Sequence, residues 1–112
     1  MNTITREQLV AALQQGGVTL VEALPERYWQ ASHLPGALNI NHDEVDAKAP
    51  ALLPERDADI VVYCANVNCQ NSDIAAHRLG VLGYSKVRVY KGGKADWEAA
   101  GLPLQAAAPA AA

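Results

Sequence analysis

An α/β fold with a mostly parallel sheet is what this sequence predicts, and three observations predict it. Ile60-Val61-Val62-Tyr63 is apolar at every position without alternation, the pattern of a strand covered on both faces, as in parallel sheets with flanking helices. Strand-like apolar runs alternate along the chain with stretches of helical spacing. Cys64 follows the Ile60–Tyr63 run directly. It therefore falls at the carboxyl end of a strand, where open parallel sheets bind their ligands and where helix amino ends and loop N–H groups converge.

Each element has its own signal. Thr5-Arg6-Glu7-Gln8 fits a capping box, Leu9, Val10 and Leu13 give a short apolar face, and Gly16-Gly17 ends that first helix. Val18 to Leu24 is the next strand, and Pro25 opens a helical turn or two whose Tyr28 and Trp29 are expected as core or as cover for the sheet. A Pro35-Gly36 turn leads to a short strand at Ala37 to Ile40, and a short helix is expected over Glu44 to Ala49. After the central strand, Asn71 or Ser72 caps a helix with Ile74, Ala75, Leu79 and Leu82 on its inward side. Lys86 to Tyr90 alternates as a strand nearer a sheet edge, Gly92-Gly93 turns the chain, and Lys94 to Ala100 forms a brief helix with Trp97 inward.

The length of 112 residues suits one domain, long enough to bury about two-thirds of its extended surface. We assign residues 1–104 to it. Gln105 to Ala112 is a low-complexity Ala/Pro tail without a periodic apolar face, expected to fray and given no function. Nine Lys and Arg against twelve Asp and Glu, with no basic block, argue against nucleic acid or an anionic membrane as partner. The amino end lacks a basic leader with an apolar core, and no apolar run approaches the ~20 residues of a membrane span, so a soluble, cytoplasmic protein is expected. Two cysteines five positions apart cannot staple distant segments, which points to reactive thiols rather than a disulfide framework.

Three separated motifs carry a resemblance to the single-domain rhodaneses. His33-Leu34-Pro35-Gly36-Ala37 with Asn39-Ile40 is similar to the family's amino-terminal signature, Val61-Val62-Tyr63-Cys64 to the strand entering its active-site loop, and Gly92-Gly93 through Trp97 to Gly101-Leu102-Pro103 to its carboxyl-terminal signature. The resemblance spans roughly residues 4 to 104. It implies a central five-stranded parallel sheet and a loop cysteine, matched here by Cys64, that carries a sulfane sulfur as a persulfide. Two departures stand out. Glu22-Ala23-Leu24 replaces the family's usual Asp-Val-Arg, and the loop from Cys64 to Ser72 is about two residues longer than the common form and has no Lys or Arg. Relatives with long loops that act as phosphatases keep an arginine for the phosphoryl group, so phosphatase activity is not expected.

The expected function is therefore a sulfurtransferase that moves a sulfane sulfur from a small-molecule donor to a thiol, cyanide or protein acceptor, with no cofactor. The alternative is a redox-responsive or sulfur-carrier interaction module switched by Cys64 and Cys69. An ordinary thiol pKa of about 8.5 leaves less than ~10% thiolate near neutral pH, and lowering it by ~2 units takes ~2.7 kcal/mol. Backbone N–H groups curled toward the sulfur and the positive end of the following helix are the expected source, with Asp73 opposing. Cys69 is either a resolving thiol, which attacks a persulfide or an oxidised Cys64, or a small packed residue. The substrate-binding loop is Ala65, Asn66, Val67, Asn68, Gln70 and Asn71, whose amides either orient a substrate or only cap and solvate the loop. A dianion such as thiosulfate should bind poorly unless Lys91, Lys94 or Arg27 reaches in. His33 is expected to tether turns, and His42 and His77 lack metal-ligand spacing with the cysteines, so no metal is expected.

Overall fold

The computed structural model describes residues 2–107. Its elements alternate: α1 (Arg6–Gln15), β1 (Val18–Glu22), α2 (Glu26–Ala31), β2 (Leu38–Asn39), α3 (Val45–Leu52), β3 (Asp59–Tyr63), α4 (Asn71–Val81), β4 (Val87–Tyr90) and α5 (Gly93–Ala99). The four strands form one sheet in the order β2-β1-β3-β4, every neighbouring pair parallel. The expected five strands are thus four. Where a fifth would lie, Thr3 makes a single parallel bridge to Val89 beside β4. The run stops there because Thr5 already caps α1 through a capping box with Gln8.

β3 is paired on both sides and buried from Ile60 to Tyr63, as its unalternating apolar run requires. Its side chains divide between two cores. Ile60 and Val62 pack with Val45, Ala49, Ala75, Leu79 and Tyr84 on the α3/α4 side, and Val61 and Tyr63 with Leu9, Leu34, Tyr90 and Trp97 on the α1/α5 side.

Several expectations shift. Tyr28 is not core but 47% exposed, and Trp29 is only half-buried, stacked on His33 with ring centroids 4.4 Å apart. α2 buries no residue. In α4 the inward stripe is Ser72, Ala75, Ala76 and Leu79, and Ile74 is 47% exposed, since helical spacing of three to four fits the first set and leaves Ile74 turned away. Gln70 occupies the cap position, without a side-chain cap bond, so neither Asn71 nor Ser72 caps the helix. The tail does not fray from its first residue: Gln105 and His33 exchange two backbone hydrogen bonds of 2.8 Å, and Ala107 N–H donates to Gln30 O at 3.0 Å. Residues 108–112 lie outside the described part.

Candidate active site at the carboxyl ends of β1, β3 and β4

Register places the site. Tyr63, the last residue of β3, pairs with Glu22 of β1 and Tyr90 of β4, so Cys64 emerges between the ends of two flanking strands. α5 then fixes its main chain. Lys94 N–H donates to Cys64 O at 3.1 Å and Ala95 N–H to Ala65 O at 2.9 Å. That approach requires Gly93, whose φ is +64° and where a Cβ would stand 2.4 Å from Cys64 O. The Gly92-Gly93 pair is more than a turn: it lets helix N–H groups hold the carbonyls of Cys64 and Ala65.

The loop itself is short and self-bonded. Asn66 accepts from Cys69 N–H through its backbone oxygen at 3.1 Å and from Asn68 N–H through Oδ1 at 3.0 Å. These two amides point at Asn66 rather than at the sulfur, so they take no part in the expected cradle. The polar neighbours of Cys64 Sγ are Ser72 Oγ at 3.3 Å and Cys69 O at 3.4 Å. Cys64 is 2% exposed and Ser72 1%. Cys64 and Cys69 are joined as a disulfide with their Cα atoms 6.3 Å apart, within the usual range for such bonds.

The remaining loop residues divide by role. Ala65 is held through its carbonyl, Val67 is 63% exposed at the apex, and Gln70 O accepts from Ile74 N–H at 3.0 Å as the helix begins. Asn66 and Gln70 thus shape the loop, while Asn68 and Asn71 border it at its exposed and half-buried sides.

Every cation expected to reach in has a partner. Lys91 Nζ lies 2.6 Å from Asp73 Oδ2 and donates to Cys69 O at 3.5 Å, so Asp73 is compensated rather than set against a thiolate. Arg27 stacks over Tyr28, 4.8 Å from the ring centroid. Lys94 Nζ lies 3.0 Å from Glu22 Oε2 and donates to Tyr28 O at 3.0 Å. Glu22 is fully buried. Its Oε1 accepts from Tyr63 OH at 2.9 Å, and Tyr63 OH accepts from Leu34 N–H at 3.0 Å. Oε2 meets the ammonium as an ion pair without hydrogen-bond direction. Burial raises the Glu22 pKa above its ordinary 4.5, with Lys94 and then Tyr63 acting against it. Burial and the neighbouring Glu22 also push the Tyr63 hydroxyl far up, so it stays protonated.

Ser72, Lys91 and the Glu22–Lys94 pair are the site residues that sequence reasoning missed or misplaced. The signal for the pair was there, as a glutamate closing an apolar strand and a lysine following Gly92-Gly93. His33 is a tether: its Nδ1 lies 2.7 Å from Trp29 O. Among the described residues no three His, Cys, Asp or Glu side chains gather as a metal site, and no helix is long and apolar enough to cross a membrane.

Comparison with known proteins decides the family. The model of the rhodanese-like domain matches residues 5–100. The chain belongs to the rhodanese-like family. Over 108 residues this rhodanese-like domain is 35% identical to an HTH-type transcriptional regulator of Mycobacterium tuberculosis, covering 96% of this chain and 46% of the regulator. It is 36% identical over 84 residues to the adenylyltransferase and sulfurtransferase UBA4 of Candida albicans, covering 70% of this chain and 19% of that protein. It therefore spans less than half the length of both. The crystal structure of a thiosulfate sulfurtransferase from Pseudomonas aeruginosa superposes with a TM-score of 0.83 at 29% identity, over 96% of this domain and 20% of that chain. Fold and family together support a sulfurtransferase-type role.

Proposed function

We propose that this rhodanese-like domain transfers a sulfane sulfur through a persulfide on Cys64, once the Cys64–Cys69 disulfide has been reduced by a thiol. The observation that carries the reading is a cysteine at the end of the central strand, its main chain held by α5 amides and its sulfur beside the first turn of α4. In the first step the Cys64 thiolate attacks the outer sulfur of the donor, a new S–S bond forms on Cys64, and the donor's own S–S bond breaks to release its thiolate. In the second, an acceptor thiolate or cyanide attacks that outer sulfur and Cys64 leaves as thiolate. No net oxidation occurs. The positive end of α4 and the Ser72 hydroxyl are the groups placed to favour charge on Cys64.

Charge selects the donor. The loop has no Lys or Arg, and Lys91, Lys94 and Arg27 are each engaged. Each uncompensated charge of a dianion forfeits about 1 kcal/mol even in water, so thiosulfate should be used at least about tenfold less efficiently than a persulfide of a small thiol.

Intact mass tests the reading. Reduced Cys69→Ser protein, incubated with a small-thiol persulfide, should gain the mass of one sulfur, and Cys64→Ser protein should gain none at this position. Absence of the gain in Cys69→Ser would refute the persulfide. The disulfide itself favours a second reading, a redox-responsive or sulfur-carrier module. That reading would stand if the wild type cycled between dithiol and disulfide while Cys69→Ser took up no sulfur.

A further inference from the structure

We propose that Cys69 turns the persulfide chemistry into sulfide release, making the domain a dithiol-dependent reductase of persulfides. The inference rests on the Cys64 persulfide proposed above and goes beyond it in the fate of the sulfur. A sulfane sulfur on Cys64 sits over a residue that is 2% exposed, whereas Cys69 is half-buried on the outer side of the loop. The thiol nearest to Cys64 Sγ is therefore the chain's own. The 6.3 Å Cα separation lets the two sulfurs bond without moving either end of the loop, and a thiol held at that range outcompetes one arriving from solution.

The step balances. The Cys69 thiolate attacks Cys64 Sγ, a Cys64–Cys69 S–S bond forms, and the bond from Cys64 Sγ to the outer sulfur breaks. Its electron pair leaves with that sulfur as hydrosulfide. The sulfane sulfur is reduced by two electrons and the two cysteines are oxidised to the disulfide seen in the structure. An external dithiol then reduces the disulfide and completes the cycle. The net reaction is persulfide plus dithiol giving thiol, hydrogen sulfide and disulfide.

Burial also sets the direction of the reductive half. The incoming thiolate meets Cys69, the more exposed residue of the pair, so the leaving thiolate is Cys64. Each reduction thus regenerates the acceptor for the next sulfur. The two ends of the loop differ in the same sense: α5 amides pin Cys64 O and Ala65 O, while Asn66, Val67 and Asn68, leading to Cys69, are exposed. Cys69 lies just ahead of α4, and its carbonyl accepts from the Lys91 ammonium at 3.5 Å.

A single turnover tests this. Reduced protein freed of reductant is mixed with one equivalent of a small-thiol persulfide, quenched over time, and read by intact mass and by sulfide release. Wild type should end lighter by two hydrogens, with one sulfide freed per chain. Cys69→Ser should hold the added sulfur and release sulfide at least about tenfold more slowly. If wild type keeps the extra sulfur as long as Cys69→Ser does, the inference fails and the persulfide reading survives. If Cys69→Ser instead traps the donor's organic thiol as a mixed disulfide, attack has gone to the donor's inner sulfur and both fail. If it takes up nothing at all, the persulfide reading fails first. Cys69→Ala repeats the comparison should the serine variant not fold.

Discussion

Lys94 shows how one side chain can compensate a buried charge. From the first turn of α5 it pairs with the fully buried Glu22 at the end of β1. Removing one partner of such a pair leaves a charge without compensation. Lys94→Ala should therefore destabilise the domain by about 3 kcal/mol near neutral pH. The loss should shrink in mild acid, because an unpaired Glu22 takes up a proton. Denaturant titrations at the two pH values check both statements, and equal losses at both would contradict the argument. Asn66 shows the opposite case, a residue expected near substrate whose two acceptors are spent on the loop's own amides.

At the scale of elements, α5 matters more than its seven residues suggest. Its first N–H groups bond not within the helix but to Cys64 O and Ala65 O, satisfying donors that a helix start leaves open. Only a residue without Cβ allows this approach, at a φ of +64°. Gly93→Ala should cost about 1–3 kcal/mol from the left-handed conformation alone, with the contact to Cys64 O added. It should also slow sulfur loading on Cys64, since the carbonyl must move and the reactive residue with it. Denaturation together with the intact-mass assay would show both effects, and a variant as stable and as quickly loaded as wild type would disprove the clamp.

For the whole molecule, the buried Glu22 ties stability to pH. Its folded pKa is raised above 4.5 mainly by burial, so between 4.5 and that folded pKa the folded state holds a proton that the unfolded chain has already lost. Above it, Glu22 is the carboxylate that pairs with Lys94. Stability from this group is fully present below 4.5 and is lost as pH rises through the folded pKa. Glu22→Gln keeps an acceptor for Tyr63 OH and removes the titration. Unfolding free energies measured as pH rises from 4.5 should fall with pH more steeply in wild type than in the variant, and parallel profiles would refute it.

The sequence by itself determined the α/β class, the central strand and the place of Cys64, because these follow from local patterns. An unalternating apolar run must be covered on both faces, and the residue after it must lie at the strand's end. It also made Thr5 a cap and Trp97 core. The residue patterns marked the four strands that form; the fifth was implied by the resemblance alone, and Thr3 stops at one bridge because the helix cap follows it. Ser72 was misread as a cap because cap preference is local, while its buried place beside Cys64 depends on how α4 docks. The Cys64–Cys69 bond, the Glu22–Lys94 pair and the α5 clamp were decided by tertiary structure alone. Each depends on separations of a few ångströms between side chains or peptide groups, and such distances are set by how strands and helices pack rather than by spacing along the chain.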